Sequence, residues 1–205
     1  MRLLLIRHGQ SVGNAAMRIQ GWDDLPLTGL GHDQAGALAG RIAAEYQVAA
    51  LYSSPLLRAR QTAEAVAEHS GLTVHYDDRL KENDCGAITG MCFEEVEARY
   101  PEIAEAWQHS PWHIPIPGEE GLGCFRERVL ASMDDIVAAM KEQDTAAVVA
   151  HGGTLSVYLA GLLGLDHHRR QPWLFDNASL SVVVLDPVRP RIALLNDTCH
   201  LNHRQ

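Results

Sequence analysis

Apolar residues fall along this chain in two alternating rhythms. Short unbroken runs, Leu3 to Ile6, Val48 to Tyr52 and Thr145 to Ala150, stop abruptly at polar residues and turn formers. Runs of that length suit strands covered on both faces, as in a parallel sheet. Between them the spacing changes to the helical period. Ala35, Leu38, Ala39 and Ile42 mark a helix that starts at Thr28, a capping residue, and runs to about Tyr46. Leu56, Ala59, Ala63 and Val66 mark a second helix, with Ser54 as N-cap, Pro55 in its first turn and its end near Gly71. Leu122, Phe125, Val129, Met133, Ile136 and Met140 form the clearest helical stripe, and a further helix is predicted from about Thr154 to Leu163. Leu72 to Tyr76 reads as a short strand, and Leu180 to Leu185 and Ile192 to Leu195 as two closing strands joined through Pro187 and Val188. Alternating strands and helices predict an α/β protein, a three-layer α/β/α sandwich on a mostly parallel sheet. Residues 83–118, with two helical pieces broken at Pro101 and a proline-punctuated loop at 111–117, read as a small insertion over the binding crevice.

The ends of the apolar runs carry the chemistry. The first leads into Arg7-His8-Gly9, the second into Ser53-Ser54-Pro55-Leu56-Leu57-Arg58, and the third into His151-Gly152-Gly153. In open α/β sheets ligands bind beyond the carboxyl ends of the strands. If the three strands are parallel neighbours, His8, His151, Arg7 and Arg58 converge. Two imidazoles and two arginines in one crevice describe a phosphate site, because the arginine fork matches phosphate oxygens. Gly9 is expected to let a ligand approach the backbone, and Gly31, Gly36 and Gly40 to let their helix pack closely on the sheet. Release of an alkoxide also needs a proton donor. The residues alone leave Asp77, Asp78, Glu82 and Asp84 as equal candidates for that acid.

Composition narrows the partners. The 205 residues suffice for a single domain, 1–205, with one core; at 46% hydrophobic and 21% charged the chain is globular. Its net charge of −9 speaks against a nucleic-acid surface. No apolar run approaches the roughly 20 residues that span a bilayer. The amino terminus reads as lacking a signal peptide, so a cytoplasmic location is expected. Cys85, Cys92, Cys124 and Cys199 have no metal-like spacing and are expected to be reduced thiols. His167, His168, His200 and His203 are expected to be surface histidines, and no metal or other cofactor is implied.

Taken in order, Leu-Ile-Arg7-His8-Gly9, Ser53-Ser54-Pro55-Leu-x-Arg58-x-x-x-Thr62-Ala63, Leu80-x-Glu82 and Val-x-Ala-His151-Gly152 resemble the histidine phosphatase superfamily, also called phosphoglycerate-mutase-like. The resemblance covers nearly the whole chain. It implies His8 as the nucleophile that accepts a phosphoryl group. Arg7, Arg58 and His151 complete the phosphate pocket, with Gly152 beside them, and Glu82 is the acid and base. Asn14 and Gln20 match positions that hydrogen-bond the phosphoryl oxygens. Arg18-Ile19-Gln20-Gly21-Trp22 is similar to the broad-specificity and alpha-ribazole phosphatases. The segments Asp176 to Val182 and Leu195 to Leu201 are similar to the metal-independent phosphoserine phosphatases. Cys85 stands where that last branch tends to place a histidine, and Ile88 where many relatives carry an aromatic residue, which points away from phosphoserine. The resemblance thus implies a hydrolase of small phosphomonoesters, with Cys85, Trp22 and the 111–117 loop on the leaving-group side. A phosphoglycerate mutase and a non-catalytic phospho-ligand module are the alternatives. The covering segment has one basic residue besides histidine, Arg99, against six carboxylates, which favours the hydrolase. The expected partner is a small phosphorylated metabolite; a homodimer is left open.

Overall fold

The fold comes from a computed structural model, which describes residues 1–166, 168, 173–186 and 189–201. His167, His203, Pro187 and Val188 lie outside the described residues. The elements in chain order are β1 (Arg2–Arg7), α1 (Val12–Ala15), α2 (Gly29–Glu45), β2 (Ala50–Ser53), α3 (Leu57–Ser70), β3 (Val74–Tyr76), α4 (Phe93–Arg99), α5 (Pro101–His109), α6 (Leu122–Ala138), β4 (Thr145–Ala150), α7 (Gly152–Leu162), β5 (Leu180–Val184) and β6 (Arg191–Asp197). The six strands form one sheet in the order β3-β2-β4-β1-β5-β6. The first four run parallel, whereas β5 is antiparallel to both β1 and β6.

The period-2 alternation of β1 sorts its side chains between two layers. Leu3 and Leu5 pack with Phe125, Val129, Met133 and Ile136 of α6 and Leu155 and Leu159 of α7. Leu4 and Ile6 pack with Leu38 and Ile42 of α2 and Ala59, Ala63 and Val66 of α3. All four β1 residues are fully buried. Each contributes about 1.5–3 kcal/mol of hydrophobic stabilisation, so β1 is held from both sides. That rigidity matters because the next residue is His8.

Local signals fix the helix ends. Thr28 Oγ1 accepts from the Gly31 amide at 3.0 Å and caps α2 as predicted. Gly71 ends α3 in the left-handed region, at φ 68°. Pro101, lacking an amide hydrogen, closes α4 and opens α5. Ser54 is not a cap: α3 starts at Leu57, and the Ser54 hydroxyl is engaged elsewhere.

The glycine expectations need correction. A β-carbon at Gly9 would strike the Gly31 carbonyl, so the space beside Gly9 admits the first turn of α2 and not a ligand. Gly36 and Gly40 face open space and make no close approach to the sheet. Residues 83–118 build a small apolar cluster of their own from Ile88, Val96, Ile103 and Ile116. It joins the 18–22 loop, where Ile19 N donates to Met91 O at 2.9 Å and Gly90 N to Ile19 O at 2.7 Å. Among the described residues no helix is long and apolar enough to cross a membrane.

Candidate active site

Register brings the three strand ends level. Arg7 pairs with Ala150 and Ser53 with Val149, so β1, β4 and β2 release His8, His151 and Ser54 side by side. The ladder continues into the site, with His8 N donating to Ala150 O at 3.1 Å. The rings of His8 and His151 meet edge to face, with centroids 5.2 Å apart.

His8 is buried, and its Nδ1 lies 2.7 Å from the Gly9 carbonyl oxygen. A carbonyl only accepts, so Nδ1 carries the hydrogen and Nε2 is left with a free lone pair. Burial, then the charges of Arg58 and Arg7, hold the His8 pKa well below the ordinary histidine value. The imidazole is therefore neutral at physiological pH. The Ser54 hydroxyl accepts from Leu56 N at 3.3 Å and lies 2.8 Å from His151 Nε2. Its own hydrogen is thus available to that ring nitrogen. His151 is also held neutral, by burial first and then by Arg58 and His8.

The two arginines are fastened by carbonyls. Arg7 donates through NH1 to Phe175 O. Arg58, in the first turn of α3, donates to Asp23 O at 2.7 Å and Gly21 O at 2.8 Å. Burial lowers both arginine pKa values, and Glu82 is the first charge opposing that shift in each. Even so lowered, an arginine stays charged. Arg7 Nε, Arg58 Nε and His151 Nδ1 are buried without a hydrogen-bond partner. Buried donors in that state are costly unless a ligand supplies acceptors.

Glu82 faces this group. Its Oε2 accepts from Gly153 N at the start of α7, at 3.0 Å, and its Oε1 from Asn83 N at 2.9 Å. A β-carbon at Gly153 would collide with the Glu82 carboxylate. A β-carbon added at Gly152 would come into ordinary van der Waals contact with Arg7 Nε. Asn14 Oδ1 accepts from Ser11 N and Asn177 Nδ2, both at 3.1 Å, and Gln20 Oε1 accepts from Ser11 Oγ at 2.6 Å. Both amides are thereby turned, leaving their NH2 ends to donate.

The structure thus brings together Arg7, His8, Arg58, Glu82, His151 and Gly152, with Asn14 and Gln20 joined through Ser11. Trp22 sits beside the loop that carries Glu82, its Nε1 donating to the Glu82 carbonyl at 2.7 Å. Cys85 packs on the apolar cluster of residues 83–118, and burial, followed by Glu82, pushes its thiol up to about 12. Arg99 lines a 520 Å³ surface cavity with Arg18 and Glu95, none of the convergent residues among its walls. His200 is not a free surface histidine: its Nε2 lies 3.0 Å from Ala178 O.

Several further contributors were not among the site residues expected from the sequence. Ser11 bridges Asn14 and Gln20. Thr62 Oγ1 accepts from Gly9 N at 3.1 Å, and Asn177 Nδ2 donates to His8 O at 3.3 Å. Thr62 and Asn177 lie in segments that carry the resemblance without a role of their own, whereas Ser11, a serine near a helix start, is consistent with an ordinary cap and nothing local marks it. Among the described residues no group of three or more His, Cys, Asp or Glu could hold a metal ion.

The histidine phosphatase superfamily (branch 1) matches residues 3–198. Phosphoserine phosphatase 1 of Hydrogenobacter thermophilus is 36% identical over 201 residues, covering 98% of this chain and 94% of that protein. A probable phosphoglycerate mutase of Yersinia pestis is 31% identical, over 89% of this chain and 84% of its own. The solved structure of a mycobacterial glucosyl-3-phosphoglycerate phosphatase with VO3 superposes with a TM-score of 0.84 at 31% identity, covering 95% of this chain and 98% of that one. On sequence and fold together, the chain belongs to the histidine phosphatase superfamily.

Proposed function

We propose that the protein hydrolyses small phosphomonoesters carrying a single phosphate, through a phosphohistidine on His8. One observation carries the proposal. His8 has Nδ1 fixed by the Gly9 carbonyl, Arg58 and Arg7 lie close enough to depress its pKa, and Glu82 lies close enough to both arginines to oppose the lowering of theirs. Nε2 attacks phosphorus, the ester P–O bond breaks, and Glu82 gives its proton to the departing alcohol oxygen. Water then attacks the phosphohistidine, and the Glu82 carboxylate takes its proton. Breaking the P–N bond frees inorganic phosphate and restores neutral His8. Arg7 and Arg58 stabilise the charge spread over the transferred oxygens, helped by donors from Asn14, Gln20 and His151.

Charge around the crevice supports hydrolysis over phosphoglycerate interconversion. A mutase must hold a substrate carboxylate and a second phosphate. Arg79, Lys81 and Arg128, on and against the loop carrying Glu82, are already paired: with Asp77 at 2.8 Å, Asp78 at 2.7 Å and Glu120 at 2.5 Å respectively. The neighbouring segment carries an excess of carboxylates. The relatives' names span phosphoserine, glucosyl-3-phosphoglycerate and phosphoglycerate, so they leave the alcohol portion to experiment. The test compares phosphate release from a panel of monoesters with interconversion of 2- and 3-phosphoglycerate primed by 2,3-bisphosphoglycerate. Phosphate release is expected to dominate; efficient interconversion with negligible release would overturn the hydrolase.

A further inference from the structure

We propose that Arg128 is a positioning residue for Glu82, acting with Glu120 as a staple that sets the loop carrying the acid. The inference rests on Glu82 being the general acid proposed above. Arg128 lies on α6, distant in sequence from every residue of the site. Its guanidinium has five N–H donors, and the geometry gives each an acceptor. NH1 donates to Arg79 O at 2.8 Å and Lys81 O at 2.7 Å. NH2 donates to Glu82 O at 2.7 Å and Glu120 Oε1 at 2.5 Å, and Nε to Glu120 Oε2 at 2.8 Å.

Three of these acceptors are backbone carbonyls on the amino-terminal side of the acid loop and at Glu82 itself. Glu120 holds the other side, its Oε1 accepting from Asp84 N at 2.9 Å. The loop on either side of Glu82 is thus tied to one ion pair. Trp22 adds a donor to the same Glu82 carbonyl, and the Arg128 guanidinium lies 5.9 Å from the Trp22 ring centroid and 4.8 Å from that of Phe125. The pair is largely buried, at 17% and 14% side-chain exposure, so solvent competes weakly for its hydrogen bonds. A lysine could supply charge here but not five donors in a planar fork. With all five of its donors engaged, Arg128 has none left to offer a phosphate oxygen. What Arg128 and Glu120 fix is the backbone that aims the Glu82 carboxylate at the leaving oxygen.

That separation gives a signature that loss of folding does not produce. Proton donation matters for an alkyl alcohol, a poor leaving group, and little for 4-nitrophenolate. The measurement is kcat/KM for an alkyl phosphomonoester and for 4-nitrophenyl phosphate, in wild type, Arg128→Lys, Glu120→Gln and Glu82→Gln. The ratio of alkyl to aryl kcat/KM cancels any loss of folded enzyme. The ratio is expected to fall on the order of 10²-fold or more in Glu82→Gln, about tenfold in Arg128→Lys and less in Glu120→Gln. A fall in Glu82→Gln with an unchanged ratio in both staple variants would overturn the positioning role while leaving the acid in place. An unchanged ratio in Glu82→Gln would overturn the acid, and the staple with it.

Discussion

The two halves of the crevice are built by different means. The phosphate side stands on the ends of β1, β2 and β4, where neighbouring parallel strands in register deliver His8, Arg7, Ser54 and His151 to one level. The side of the proposed acid, Glu82, stands on residues 79–84, which belong to no strand, and it depends on side chains reaching in from α6, from Glu120 and from Trp22. Sheet register fixes one half; hydrogen bonds to individual carbonyls fix the other. The first half should therefore serve every phosphate monoester alike, and the second should matter in proportion to how poorly the alcohol leaves.

Substitutions can break that contrast. Arg58→Ala removes an arginine from the phosphate side, and kcat/KM should fall by about 10³–10⁵ on alkyl and aryl monoesters equally. Unequal losses would mean that Arg58 serves the leaving group. Glu82→Gln should cost about 10²–10⁴ on an alkyl monoester and far less on 4-nitrophenyl phosphate. If Asp84→Asn gives the larger loss, the proton comes from there. Gly153→Ala pushes a methyl group into the Glu82 carboxylate and displaces it from the α7 amide. The alkyl monoester should lose about tenfold, with little change in the denaturation midpoint. A variant indistinguishable from wild type would show that the contact with α7 does not aim the acid.

The contrast also explains what was legible in the sequence. An apolar run of four to six residues ending in Arg-His-Gly or His-Gly-Gly states both the strand and the place where its chemistry emerges. Hence β1, β4 and the residues Arg7, His8 and His151 at their ends could be read directly, as could the helices whose stripes and caps are local. The acid loop offers no such pattern. Four carboxylates lie between residues 77 and 84, and the choice of Glu82 came from resemblance alone. What sets it apart physically is contact with the α7 amide, a partner 71 residues away. Arg128 was hidden for the same reason, as one more polar residue beside the apolar stripe of an amphipathic helix, although its side chain is largely buried. Gly9 misled because a missing side chain looks the same in sequence whether a ligand or a helix fills the space.

The smallest effect concerns stability. Burial holds His8 and His151 below their ordinary pKa, so the native state refuses protons that the unfolded chain accepts below about pH 6.5. Stability should fall as pH drops through that point, by up to about 1.4 kcal/mol per pH unit for each histidine, and hold above it. Urea denaturation between pH 5 and 7.5 should give a shallower dependence for His151→Asn. An identical slope would mean that the histidine protonates in the folded state.

The central claim is that His8 carries the phosphoryl group, and trapping tests it most directly. Enzyme mixed with a labelled phosphomonoester and quenched during turnover should hold acid-labile, base-stable label on the peptide containing His8. His8→Ala should hold none. Label that persists in His8→Ala, or wild-type enzyme that turns over substrate without ever acquiring label, would contradict the account.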